Sequence, residues 1–128
     1  MSQRMLQILT CAYRATLEEQ DDPVLWLTHS LRNNGAQLDV LLRSTAVSYA
    51  VRRQSARGLS IGNWQQSQPP DIAFEVRALL SKDAKVFAIA EDLAVRGMRR
   101  DELLEDVQLV ARAELPLLLR AYRQIWQW

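Results

Sequence analysis

Cys11, Arg43, Ser44, Thr45, Glu91 and Asp92 are the residues of this 128-residue chain whose types and spacing could do chemistry. Cys11 is the only cysteine. As a thiolate, favoured by Arg14 and by nearby helix N-termini, it would be a nucleophile; as a thiol it would act as a small apolar residue. Ser44 and Thr45 put two hydroxyls and unused N–H groups at the start of a helical pattern. That arrangement suits an anion, and ordinary helix capping explains it equally well. Arg43 adds a positive charge to such a site or stands in solvent. Glu91 and Asp92 fall in the first turn of another helical pattern, where carboxylates meet the positive end of the helix dipole. General acid or base work by them would need a proton-transfer partner, and no histidine or lysine is placed beside them.

Positioning these residues requires an alternation of strands and helices. Met5 to Thr10 is a short, mostly apolar run of strand length. Asp22 is placed to cap a helix with Pro23 at its first position, with Val24, Leu27 and Leu31 on one face, and Asn33-Asn34-Gly35 stops it. Leu38 to Leu42 follows as a second strand, completing a βαβ unit with parallel pairing. The next helix starts at Ser44-Thr45, carries Ala46, Val47, Ala50 and Val51 at helical spacing, and runs into Arg52-Arg53. Gln54 to Pro69 has no periodicity and reads as one long loop, longer than the roughly 12 to 15 residues usual in compact domains. Pro69-Pro70-Asp71 opens a third helix with Phe74, Leu79 and Leu80 as apolar anchors. Lys85 to Ile89 is a strand, Glu91 to Arg96 a short helix stopped by Gly97, and Asp101 to Leu104 a further helical turn. Val107 to Val110 is the fourth strand, Ala113 to Tyr122 a helix with Pro116 in its first turn, and Gln124 to Gln127 the last strand.

This alternation predicts a single α/β domain over residues 1–128, with helices on both faces of a mostly parallel five-stranded sheet. Ligands in such folds bind beyond the carboxyl ends of the strands. That rule gathers Thr10-Cys11, Arg43-Ser44-Thr45 and Ala90-Glu91-Asp92 at one sheet edge.

Composition narrows the function classes. Sixteen Lys and Arg against 15 Asp and Glu leave a formal charge of +1, so a duplex-binding basic protein is not expected. Arg52, Arg53, Arg57 and Trp64 around the long loop are read as a solvated helix end rather than as a nucleic-acid surface. One cysteine and one histidine, His29, exclude an internal disulfide and leave too few ligands for a typical zinc site. No metal or cofactor is expected, and His29, three residues after Trp26, is read as a helix-surface residue. No run reaches the roughly 20 apolar residues of a membrane span, and the start of the chain lacks a secretory apolar run, so a cytoplasmic protein is expected. Trp126 and Trp128 share a face of the last strand, with Trp126 read as core and Trp128 as available to a partner.

Three segments carry a resemblance to a known family. They are the opening strand with Ala12-Tyr13 and the helix from Asp22; Leu38 to Val51, LDVLLRSTAVSYAV; and Val86 to Gly97 with Ala113-Glu114-Leu115-Pro116 and the closing Gln124-Ile125-Trp126-Gln127-Trp128. They resemble the DsrE/DsrF/DsrH-like family, small α/β proteins that include the TusB, TusC and TusD subunits of a tRNA-thiolation sulfur relay. The resemblance implies a DsrE-like three-layer sandwich and assembly into homo-trimers or hexamers, or into hetero-oligomers with a cysteine-bearing paralogue, with a sulfur-carrier protein as a further partner. It also implies a persulfide-carrying cysteine at the end of the strand before Arg96-Gly97. That position holds Ile89. Glu91-Asp92-Leu93 instead is similar to the DsrH/TusB branch, whose members lack that cysteine. The expectation is an accessory, non-catalytic subunit; the alternatives are a sulfurtransferase using Cys11 and a small-anion or nucleotide binder using Ser44 and Thr45.

Overall fold

The structure, a computed structural model of the chain, describes residues 4–13, 22–54, 58, 60–67, 69 and 71–128. Arg14, the polar stretch through Asp21, Arg57 and Pro70 lie outside the described residues.

Five strands form one sheet: β1 (Met5–Leu9), β2 (Leu38–Leu42), β5 (Val86–Ile89), β6 (Gln108–Val110) and β7 (Gln124–Gln127). Their order is β6-β5-β2-β1-β7, and all four pairings are parallel. The central strands are buried and mostly apolar, interrupted by Gln7 in β1 and Asp39 in β2, as suits a sheet covered on both faces. Side-chain alternation divides the core. Leu9, Val40, Leu42, Val86 and Ala88 face α1 (Pro23–Asn33), a 3₁₀ segment over Ser44–Ala50, α2 (Ile72–Ser81) and Leu93 of α3 (Ala90–Val95). Leu6, Ile8, Leu41, Phe87, Ile89 and Val110 face the other way, against Leu115, Leu118, Leu119 and Tyr122 of α4 (Leu115–Arg120) and its end. The α/β sandwich expected from the sequence is the fold observed.

The helix ends obey local chemistry. Asp22 Oδ1 accepts from the N–H groups of Val24 (2.8 Å) and Leu25 (3.2 Å), with Pro23 opening α1. Asp71 Oδ1 likewise accepts from Phe74 N–H at 3.2 Å. Gly97, at φ +68°, ends the turn after α3 in a conformation that favours glycine.

Several details differ from expectation. The segment after β2 is a 3₁₀ helix, with Arg43 in extended backbone before it and no side-chain cap. Neither Ser44 nor Thr45 caps it: both lie inside the segment, and the Thr45 hydroxyl is engaged across the sheet edge. The 54–69 loop contains a small antiparallel hairpin, β3 (Ser60–Ile61) and β4 (Trp64–Gln65), turning at Gly62 with φ +58°. Phe74 is 67% exposed, so Ile72, Ala73, Val76 and Leu79 anchor α2 instead. The last helix begins as a 3₁₀ turn, Arg112–Glu114, before α4. Trp126 is 39% exposed rather than core, because β7 is an edge strand all of whose residues are exposed. His29 is half-buried, with Nε2 3.0 Å from the Glu75 carbonyl.

Candidate functional site at the carboxyl edge of the sheet

Parallel strands deliver Cys11, Arg43–Thr45 and Glu91–Asp92 to the same edge, and the site is organised by what those residues bond. Thr10 continues β1, with its N–H donating to the Trp128 carbonyl at 3.1 Å and its hydroxyl to the same oxygen at 2.6 Å. Cys11 follows as an exposed side chain, its Sγ 4.0 Å from the Thr10 hydroxyl. The backbone then turns, and Tyr13 takes a left-handed conformation at φ +55°.

Thr45 holds this turn from the β2 side. Its Oγ1 accepts from Ala12 N–H (3.1 Å) and lies 3.3 Å from the Thr10 carbonyl, to which it donates. Below it, buried Tyr49 accepts from Tyr13 N–H and donates to Asp22 Oδ2 at 2.6 Å. Burial, then the hydrogen bond to Asp22 and its charge, push the Tyr49 phenol far above its usual range. Tyr49 therefore stays a neutral donor. The Tyr13 and Tyr49 rings meet edge to face, 5.3 Å between centroids, and burial raises the Tyr13 phenol as well.

The acidic pair is held by partners within the chain. Ser44, left-handed at φ +51°, turns its N–H onto Asp92 Oδ2 at 2.8 Å. Arg112 Nη2 donates to Asp92 Oδ1 at 2.7 Å, and Arg112 N–H donates to both Glu91 oxygens at 2.9 and 3.1 Å. The Ser44 N–H that an anion would use thus already carries a carboxylate. The two acids also lock the β6 end against α3. Arg43 contributes backbone, its N–H donating to the Leu9 carbonyl at 2.9 Å.

Ile89, where the resemblance places a cysteine, is 1% exposed and points into the apolar layer beneath α4. Its side chain has neither a nucleophilic atom nor access to solvent. Among the described residues no cluster of three His, Cys, Asp or Glu side chains gathers as a metal ligand set would, and no helix is long and apolar enough to cross a membrane. A groove of about 510 Å³, lined by Trp26, His29, Phe74 and Lys82, lies between α1 and α2 and includes none of these strand-end residues in its lining.

No protein-family model and no curated protein matches this sequence. Solved structures do match in shape. The YchN protein from E. coli superposes with a TM-score of 0.70 at 18% identity, covering 100% of both chains. MTH1491 from Methanobacterium thermoautotrophicum, a protein of unknown function, gives 0.65 at 15% identity over 96% of this chain and 99% of its own. The fold is DsrE-like. Within the DsrE-like fold, the structure brings the sequence-predicted residues to one edge but divides them. Cys11, Thr10 and Thr45 form one group, while Ser44, Glu91 and Asp92 close onto Arg112 in another.

Sequence reasoning missed Tyr49, Arg112 and the Trp128 carbonyl. Tyr49 had a local signal, a phenol on the apolar face of a helical pattern, which needs a buried partner for its hydroxyl. Arg112 and Trp128 had none, because their partners lie 20 and 118 residues away in the chain.

Proposed function

We propose that this chain is an accessory, non-catalytic subunit of a cytoplasmic sulfur-relay or sulfur-oxidation system, belonging to the DsrE/DsrF/DsrH-like family and acting through assembly and partner recognition. The observation that carries this reading is Ile89, buried in the apolar layer beneath α4 at the position where the resemblance implies the sulfur carrier. The pairing of Glu91 and Asp92 with Arg112 and Ser44 supports it, since both carboxylates serve to hold elements together. Exposed Leu117, Ile125, Trp126 and Trp128 offer apolar surface for neighbours, either further copies in a trimer or hexamer or a cysteine-bearing paralogue.

A second reading is favoured by one observation. Cys11 is exposed at the end of β1, and its thiolate would attack the sulfane sulfur of a small donor, becoming a persulfide as the rest of the donor leaves as an anion. Intact mass after incubation with a sulfane-sulfur donor separates the two. The accessory reading expects no adduct; a gain of one sulfur, removed by reductant and absent in Cys11→Ser, would establish the transferase instead. Anion binding at Ser44 and Thr45 is the least supported reading, because Asp92 already takes the Ser44 N–H. Phosphate-bearing ligands are expected to leave the thermal midpoint unchanged.

A further inference from the structure

We propose that the outer edge of β7 pairs antiparallel with β7 of a second copy, about a two-fold axis through Trp126, joining two five-stranded sheets into one. This rests on the assembly reading above and gives it an interface.

The backbone of β7 has its inner half satisfied and its outer half open. Trp128 donates its N–H to Ile8 and accepts from Thr10 through its carbonyl, so both of its polar groups face β1. Strand alternation turns the groups of Trp126 inward as well, and those of Ile125 and Gln127 outward. β7 closes the strand order, and among the described residues no strand lies beyond it.

Edge strands in native proteins are commonly blunted by charge, proline, shortness or a bulge. The other edge shows such protection. β6 is three residues long, follows Glu105-Asp106, and at its far end the N–H groups of Ala111 and Arg112 are taken by the carboxylates of Glu114 and Glu91. β7 is Gln-Ile-Trp-Gln, with no charge and no proline, and every residue in it is exposed.

The sequence suits self-pairing. Centred on Trp126, the register sets Ile125 opposite Gln127 of the second copy and the reverse, so the four outward groups on each strand form two hydrogen-bonded pairs. The two Trp126 side chains, on the α1 side of the sheet, then meet in the close, non-hydrogen-bonded pair on the axis, and aromatic cross-strand pairs stabilise such contacts. The same register holds the two Arg123 residues roughly 20 Å apart along the strands. Like charges at that distance are screened in physiological salt.

The test combines sizing with cross-linking of the full chain. Wild type is expected to be a dimer or an even-numbered oligomer by light scattering. Gln127→Pro, which removes one outward N–H and no bond to β1, is expected to halve the mass while keeping the circular dichroism spectrum. Trp126→Cys in a Cys11→Ser background is expected to form an intermolecular disulfide at least tenfold faster than Leu117→Cys in the same background. Leu117 is more exposed, at 72%, but lies off the strand. The cross-link does not depend on the proline variant folding. An oligomer whose position 126 cross-links no faster than position 117 would overturn the β7 interface and leave the assembly reading standing. A wild-type protein that remains monomeric at all accessible concentrations would overturn the β7 interface and the homo-oligomer, leaving a cysteine-bearing paralogue as the partner of the assembly reading.

Discussion

The two ends of the central sheet treat carboxylates in opposite ways. At the amino ends, Asp39 of β2 is 0% exposed and accepts four hydrogen bonds: two from the Arg4 guanidinium, one from Lys85 N–H at 2.8 Å and one from the Tyr122 hydroxyl at 2.6 Å. At the carboxyl ends, Glu91 is exposed and Asp92 half-buried, and their partners are two backbone N–H groups and one exposed guanidinium. A charge removed from water and fully bonded holds the surrounding chain to one arrangement. A charge left near water can exchange partners at little cost. The amino end is therefore structural, tying the start of β1 and the end of α4 to β2, whereas the contacts at the carboxyl end are of the exchangeable kind.

The difference between the two ends bears hardest on Asp39. Asp39→Ala takes the acceptor from the partly exposed Arg4 guanidinium, the Tyr122 hydroxyl and Lys85 N–H together, so it is expected to cost about 3 kcal/mol in urea denaturation. A loss under about 1 kcal/mol, the range of an exposed pair, would mean that the two ends do not differ. The same group sets a pH dependence. Burial alone would raise the Asp39 pKa, but the hydrogen bonds from Arg4, Tyr122 and Lys85 N–H outweigh it and hold the carboxyl below its usual range. A depressed carboxyl pKa contributes stability that is complete above the unfolded value of about 3.9 and disappears as pH falls through the folded one. Denaturation midpoints measured downward from about pH 5 should fall more steeply in wild type than in Asp39→Asn. Parallel slopes would remove Asp39 from the acid response.

A smaller effect is expected from placing at position 89 the cysteine that the resemblance implies. Ile89→Cys shrinks a fully buried side chain in the layer beneath α4, at an expected cost of about 1 to 3 kcal/mol. In a Cys11→Ser background the new thiol should stay unmodified by a thiol reagent until the protein unfolds. Cys11, exposed at the end of β1, should react in the native state. Rapid native labelling at position 89 would show that this strand end opens, and would make it a chemical candidate again.

How much of this was legible in the chain follows from the range of each interaction. The strand-helix alternation, the Asp22-Pro23 start and the Gly97 stop are local patterns, and the observed elements follow them closely. The strand-end rule also brings Cys11, Thr45 and Asp92 to one edge without any pair contact being known. Asp39 leaves a trace in the sequence: a lone carboxylate inside the apolar run Leu38-Asp39-Val40-Leu41-Leu42 must find donors if the strand is central. Its donors Arg4 and Tyr122 sit 35 and 83 residues away, where periodicity carries no information. Trp126 departs from its expected place in the core because strand alternation gives a face, whereas burial depends on whether another strand lies alongside.

The smallest expected effect lies in the contact that most resembles a functional ion pair. Arg112 joins Asp92 at 2.7 Å, yet the guanidinium is largely exposed. Exposed pairs contribute about 0.2 to 1 kcal/mol, because water screens the attraction and ordering a long side chain costs entropy. Arg112→Ala preserves the backbone N–H that Glu91 accepts, so only the Asp92 contact is lost. Its destabilisation should stay below about 1 kcal/mol and shrink further as salt is raised. A loss above about 2 kcal/mol, insensitive to salt, would make the carboxyl end as rigidly held as the surroundings of Asp39 and dissolve the distinction between the two ends. A small, salt-sensitive loss leaves Asp92 held chiefly by Ser44 N–H.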